Sequence, residues 1–220
     1  MNYIKSYCRI TPGRVLLNGD TYFESDFDPE LGSDDKLRSA HDFFSAIYAR
    51  LGADYRKFYK MDALSKLGFL ASELLLKDTD REAPKEDMGI VLFNCSSSLE
   101  TDRRYQKTIR NKDDFFPSPA EFVYTLPNIV TGEISIRNKV YGETAFYISP
   151  DFEGDTMCDV IDNMISFAGM KYVLAGWTEV NAFTGGIDCL MLLCEAECVS
   201  EKDIVKSLSS DNLGSLYNKC

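Results

Sequence analysis

The feature that most constrains the fold is the order of local patterns between residues 115 and 177. Ser118, Pro119 and Glu121 stand where an N-cap, a first-turn proline and a capping-box glutamate belong, which predicts a helix start. A second helix is predicted over 128–138, and the β-rich apolar run over 144–148 predicts a strand. This switching between helical and extended patterns is typical of an α/β fold.

The second part of the stretch repeats the alternation. After residues 149–151, apolar side chains recur at helical spacing, at Met157, Val160, Ile161, Met164 and Ile165. Gly169 stands where a glycine often closes a helix. The apolar run from Tyr172 to Trp177 then predicts a strand buried on both faces.

The rest of the chain alternates in the same way. Strands are predicted over 3–10, 89–94 and 187–195, and helices over 36–51, 59–75 and 99–111. Residues 14–35 are predicted to form a polar loop with little regular structure. The pattern predicts an α/β domain with helices on both faces of a mixed sheet.

Composition excludes several classes of function. The net charge of −11 argues against nucleic acid as a partner, because phosphate binding needs an excess of Lys and Arg. No apolar run approaches the length of a membrane span, and the N-terminus lacks the apolar core of a signal peptide. The seven cysteines are an odd number without a metal-binding pattern, so we expect reduced thiols, a cytoplasmic location, and neither a metal nor a cofactor.

Several residues occur in an order that resembles one family. They are Ser118-Pro119, Phe122, Pro127-Asn128, Gly132, Ile134, Ile136, Gly142 and Ala175-Gly176 with Glu179. In this order and spacing they resemble the N-terminal half of the β-ketoacyl synthases, within the thiolase-like superfamily. The resemblance implies a three-layer α-β-α half domain over residues 1–199, followed by a C-terminal tail, 200–220, with room for a short helix.

The resemblance also locates the family's nucleophile. Counting about nine residues forward from Gly142, or about twenty-five back from Gly176, as in the family, gives Asp151 both times. The acyl-accepting cysteine is thus replaced by a carboxylate, which is a poor acyl carrier. We therefore expect a ketosynthase-like protein that has lost its catalysis.

A half domain of this kind implies a partner, because a full-length ketosynthase fuses two similar halves. The resemblance implies a shortened version of the chain length factor, the subunit that lacks the cysteine and shapes the acyl tunnel of an active ketosynthase. The expected assembly is a heterodimer with a full-length ketosynthase, or else a homodimer, in fatty-acid or polyketide (polyene or resorcinol-type) lipid synthesis. The residues expected near the interface and acyl tunnel are Phe122, Tyr124, Pro127, Asn128 and Asp151.

Two alternatives remain open. Arg103, Arg104, Lys107 and Arg110 form a basic patch on the predicted helix 99–111, either an ordinary solvated face or a docking surface of a scaffold for an acidic acyl carrier protein. Cys95, in the phrase Asn94-Cys95-Ser96-Ser97-Ser98, imitates a polyketide nucleophile motif and would make the chain a small acyl-thioester enzyme. Its position favours a turn and a helix cap instead, and the only histidine available as a base is His41.

Overall fold

The computed structural model describes residues 2–25, 33–181, 184, 186–196 and 205–219, with the side chains of 33–39 left out. The strands are β1 (Asn2–Thr11), β2 (Arg14–Leu17), β3 (Asp20–Glu24), β4 (Met88–Asn94), β5 (Thr144–Ile148), β6 (Tyr172–Val180), β7 (Ile187–Ala196) and β8 (Lys206–Ser207). The α-helices are α1 (Ser33–Leu51), α2 (Ala63–Leu75), α3 (Leu99–Ile109), α4 (Pro119–Val123), α5 (Ile129–Asn138), α6 (Gly154–Ser166) and α7 (Ser210–Tyr217). Short 3-10 helices occupy Arg56–Lys60 and Lys112–Asp114.

One mixed sheet runs through the described residues in the order β3-β2-β1-β7-β6-β4-β5, with β8 paired to β1. Strand β4 runs parallel to both β5 and β6. The β1–β2, β1–β7, β2–β3 and β6–β7 pairs are antiparallel. The C-terminal ends of the three parallel strands therefore lie side by side at the same end of the sheet.

Helices cover both faces of the sheet, as the sequence predicts. Successive residues of β4 point to opposite faces, so Ile90 and Leu92 pack with one apolar cluster and Val91 and Phe93 with the other. The first cluster includes side chains of α1, α2 and α5, and the second includes those of α6 and α7. The predicted three-layer α-β-α arrangement with a mixed sheet is confirmed.

The prediction of an irregular loop over 14–35 is wrong for residues 14–24, and residues 26–32 of that range lie outside the described residues. Strands β2 and β3 form a hairpin whose turn is Asn18-Gly19, with φ angles of 54° and 97°. Asparagine followed by glycine tolerates these positive angles and is the strongest short hairpin signal. The Asn18 side chain also accepts a hydrogen bond from the Tyr7 amide at 2.8 Å, which fixes the hairpin to β1.

Other boundaries shift less. Strand β6 continues three residues beyond the predicted end, to Val180. The first residues of the predicted C-terminal tail, 200–204, lie outside the described residues. Helix α7 begins later, with the Ser209 hydroxyl accepting a hydrogen bond from the Asn212 amide. None of the helices in the described ranges is both long and apolar enough to traverse a lipid bilayer.

Candidate functional site

The candidate site lies where β4 and β5 end side by side. Asn94 is in register with Ile148, and the Ser149 amide donates to the Asn94 carbonyl at 2.9 Å. The chain leaves β4 toward α5 in one helical layer and leaves β5 toward α6 in the other. Adjacent parallel strands whose connections leave on opposite faces form a crevice in which α/β proteins bind ligands. The loops that carry Cys95 and Asp151 flank this crevice.

Asp151 is a surface carboxylate in the loop between β5 and α6. Its side chain is exposed, and its carbonyl accepts a hydrogen bond from the Ser149 hydroxyl at 2.9 Å. The next residue, Phe152, turns inward and meets the Trp177 ring edge-on at 6.3 Å between centroids. The loop therefore presents a carboxylate at the crevice and anchors itself through the aromatic side chain beside it.

The Cys95 turn is held by polar side chains. The Oε2 atom of Glu179 accepts from the Cys95 and Ser96 amides at 2.8 and 3.0 Å. The Asn94 side chain bonds both the amide and the carbonyl of Ser97, whose φ is +52°. The thiol of Cys95 is exposed and free. Cys95 thus belongs to a built turn, in agreement with the turn interpretation of this phrase.

Ser98 stands at the N-cap position of α3 but makes no side-chain cap bond. Its hydroxyl donates instead to the Thr125 carbonyl at 2.6 Å. The capping role expected from the sequence is therefore replaced by a tertiary contact. This contact joins the Cys95 turn to the segment that contains Phe122, Tyr124, Pro127 and Asn128.

His41 is not beside Cys95 but beside Lys66, with 3.2 Å between its Nδ1 and the lysine Nζ. Burial, the nearby Lys66 ammonium and then Arg104 lower the pKa of His41 to about 4. An imidazole with this pKa is a weak base, and its Nδ1 already contacts the lysine. The geometry therefore gives Cys95 no histidine activation.

Besides Asp151, four residues are expected near an interface, and they differ in their exposure to solvent. Phe122 is 59% exposed, and its ring lies 5.4 Å from the Tyr105 ring, at 52° between the ring planes. Tyr124 is buried, and its hydroxyl donates to Glu133 Oε1 at 3.1 Å. Pro127 is half-buried and Asn128 is exposed at the start of α5. Phe122 and Asn128 are thus available at the surface, whereas Tyr124 supports them from below.

The basic residues of α3 differ in whether they face solvent or a neighbouring helix. Arg104 turns toward α4 and bonds Glu121 Oε1 at 3.2 Å. Arg103, Lys107 and Arg110 are exposed, and their spacing places them on one face of the helix. The surface patch predicted from the sequence therefore consists of these three, and Arg104 is part of a structural ion pair.

The sequence did not predict the roles of two supporting groups. Glu179 belongs to the family resemblance, but its contact with the Cys95 and Ser96 amides was not predicted, although an isolated charge in the buried strand β6 was an available signal. Tyr217 stacks on Phe152 at 4.1 Å and 2° between the ring planes, from more than sixty residues away along the chain. No local pattern marks such a pair.

Comparison with known proteins supports the architecture. No family model matches the chain, and no curated protein shows significant similarity to it. Among solved structures, the ishigamide ketosynthase/chain length factor superimposes with a TM-score of 0.62, at 17% identity over 91% of this chain and 63% of that chain. The chain has the ketosynthase fold.

Two further structures agree. A chain of the complex between the ketosynthase ApeO and its chain length factor ApeC from Xenorhabdus doucetiae matches with a TM-score of 0.54 and 14% identity, over 99% of this chain and 92% of that one. The AntDE:AntF complex of a type II polyketide ketosynthase with its acyl carrier protein matches with a TM-score of 0.60 and 13% identity, over 89% and 62%. This chain thus spans about three fifths of two of these neighbours but nearly all of the third.

Proposed function

We propose that the chain is a non-catalytic, ketosynthase-like subunit that pairs with an active ketosynthase and shapes or stabilises its acyl site. By the spacing of the family that the sequence resembles, Asp151 stands where the nucleophile is expected. A carboxylate does not replace a thiolate as acyl acceptor. The pathway we propose is fatty-acid or polyketide lipid synthesis of the polyene or resorcinol type.

The observation that carries this proposal is the distribution of exposed apolar side chains. In the part of the chain that the structure describes, nine of the eleven exposed large apolar residues lie between 115 and 148. They are Phe115, Phe116, Phe122, Val123, Leu126, Ile136, Tyr141, Tyr147 and Ile148. Large apolar surface concentrated in this way is typical of an interface with another protein.

The same stretch contains an edge strand. Strand β5 ends the sheet beyond β4, so one side of its backbone has no strand neighbour in the described sheet. Tyr147 and Ile148, on this strand, are 44% and 54% exposed. Exposed edge strands invite pairing with another chain unless they are covered. A ketosynthase partner that covers β5 and the 115–148 stretch would resolve both features.

One structural neighbour is consistent with this role. The match to a chain of the ApeO–ApeC complex spans 92% of that chain, so a chain of this fold occurs in a complex of a ketosynthase with its chain length factor. The five cysteines within the described ranges form no disulfide. Reduced cysteines fit the cytoplasmic location that we propose.

The test replaces apolar side chains of the proposed interface by charge. Ile148→Asp and Phe122→Asp should each lower the affinity for the co-isolated ketosynthase by about 30-fold or more, because a buried interface anchor contributes about 2 kcal/mol. The measurement is quantitative co-purification of the tagged chain from its own cells, followed by titration of the purified partners.

Phe167→Asp is the matched control. Phe167 is 86% exposed but lies after α6, outside the 115–148 stretch. Its substitution should leave binding unchanged. Equal binding by the wild type and by both interface variants would overturn the proposed interface.

A second candidate function rests on the α3 face. Arg103, Lys107 and Arg110 form an exposed basic face on a chain whose net charge is −11, and this local positive charge favours docking of an acidic acyl carrier protein. Reversing the three charges should weaken carrier-protein binding without changing ketosynthase binding. The third possibility is catalysis by Cys95, for which we find no activating base among the described residues, since His41 contacts Lys66.

A further inference from the structure

Helix α7 packs beside α6 in the same helical layer, on one face of the sheet. Leu213 and Leu216 are fully buried in the apolar cluster that contains Met157 and Ile161 of α6. The outer side of α6 carries exposed acidic residues, including Asp155, Asp159 and Asp162. Apolar residues of α6 thus face the sheet and α7, and charged residues face solvent.

The end of α7 is held by a buried charge. Arg9 of β1 is 6% exposed; it pairs with Asp188 of β7, and its Nε donates to the Tyr217 carbonyl at 2.9 Å. The Tyr217 hydroxyl donates to the second carboxylate oxygen of Asp188. The guanidinium also lies over the Tyr217 ring, 4.8 Å from its centroid. Because partly buried charged hydrogen bonds are stronger than neutral ones, this arrangement fixes Tyr217 to the sheet.

The other side of the Tyr217 ring reaches the candidate site. It stacks on Phe152 at 4.1 Å, and Phe152 in turn packs on Trp177, which is 4% exposed. Phe152 directly follows Asp151 in the loop between β5 and α6. A continuous chain of aromatic contacts therefore joins α7 to the loop at the family's nucleophile position.

The first residues of α6 and α7 also approach closely. A methyl group at Gly154 would lie 2.9 Å from the Ser210 hydroxyl oxygen and 3.2 Å from its carbonyl oxygen. These distances are shorter than ordinary van der Waals contact. The glycine therefore permits α7 to sit against the start of α6, two residues after Phe152.

We propose that α7 acts as a latch that holds Phe152, and with it the 149–153 loop that carries Asp151, in one position. Tyr217 is the positioning residue, and Arg9 and Asp188 hold it. The latch acts within the chain, so it does not depend on the proposed partner. Its role is to fix the shape of the crevice edge that a partner or an acyl chain would meet.

Trp177 offers a direct measurement, since it is the only tryptophan of the chain. In full-length protein, Tyr217→Ala should raise the rate constant for acrylamide quenching of Trp177 fluorescence about threefold, as expected when a local cover opens. Gly154→Ala should also raise the quenching rate constant, because the added methyl group would displace α7 from the start of α6. Tyr217→Phe keeps the stacked ring and loses only the hydroxyl bond, so its quenching should lie between those of the wild type and Tyr217→Ala.

Gly132→Ala in α5 is the matched control for Gly154→Ala, because no atom lies within 4 Å of the added methyl group. Its quenching should equal that of the wild type. Hydrogen exchange of residues 210–217, read by mass spectrometry, reports on α7 in the same samples. Faster exchange in α7 with unchanged quenching of Trp177 would contradict the latch. Loss of folded structure in all three latch variants would also contradict it, because α7 would then belong to one indivisible core.

Discussion

At the scale of single residues, His41 shows how burial changes chemistry. Its ring lies against Lys66, and burial, Lys66 and Arg104 lower its pKa from 6.5 to about 4. Asp42 acts in the opposite direction but is the smaller cause. Between pH 6.5 and about 4, His41 is thus mainly neutral in the folded chain and mainly protonated in the unfolded chain.

The sign of the pH effect follows from this shift. Between pH 6.5 and about 4 the unfolded state binds a proton that the folded state does not, so acidification lowers the free energy of unfolding. Because the ring is only partly buried, the expected loss is about 1–2 kcal/mol across that window. His41→Gln should remove this part of the pH dependence.

Nuclear magnetic resonance gives the titration without ambiguity, because the chain has one histidine. The imidazole signals of folded protein should shift with a midpoint below pH 5. A midpoint near 6.5, or equal pH dependence of unfolding in wild type and His41→Gln, would contradict the buried pairing with Lys66.

Residue roles at the site were only partly predictable from the sequence. The family resemblance, through the spacing of its glycines, predicts Asp151 at the nucleophile position, and the structure places Asp151 in an exposed loop. The sequence did not distinguish Arg104 from its neighbours, because its partner Glu121 is 17 residues away on another helix. Arg9 lies 179 residues from Asp188 and 208 residues from Tyr217 along the chain, so no local pattern predicts these contacts.

At the scale of elements, the strands and helices followed from local patterns. Strand β4 was predictable because its first six residues are apolar or small, and all seven of its residues are buried in the structure. Helix α4 was predictable from its cap, since the Ser118 hydroxyl accepts from the Glu121 amide and Pro119 begins the helix. Asn18-Gly19 signals the β2–β3 hairpin, but the polar residues around that turn favour a loop interpretation, which the structure contradicts.

The close pairing of β6 and β7 depends on Gly176. A methyl group there would lie 2.4 Å from the Leu190 carbonyl oxygen and 2.9 Å from the Met191 Cα. Both atoms are backbone, so the strands would have to move apart. Gly176→Ala should lower the free energy of unfolding by about 3 kcal/mol. Urea unfolding followed by circular dichroism measures this.

Gly132→Ala is the counterpart in a helix. Its methyl group meets nothing within 4 Å, and alanine is the better helix former, so unfolding should become less favourable by about 0.5–1 kcal/mol. If both glycine variants change stability by the same amount, the close approach of β6 and β7 is not what requires glycine at 176.

At the scale of the whole molecule, apolar surface is covered in one part of the structure and exposed in another. On one side, the buried leucines of α7 pack against α6, and the buried Arg9 of β1 binds the end of α7. The 115–148 stretch instead leaves nine large apolar side chains in solvent and an edge strand beside them. A protein that closes one surface and leaves another open in this way is suited to bind one partner through the open surface.

The most direct test of this account is native mass spectrometry of the chain isolated gently from its own cells. We predict a one-to-one complex with a ketosynthase of roughly twice the mass of this chain. When an acyl-thioester probe is added, the label should appear on the partner's cysteine and on no residue of this chain. A clean monomer, or a label on Cys95 followed by turnover, would contradict the proposed role.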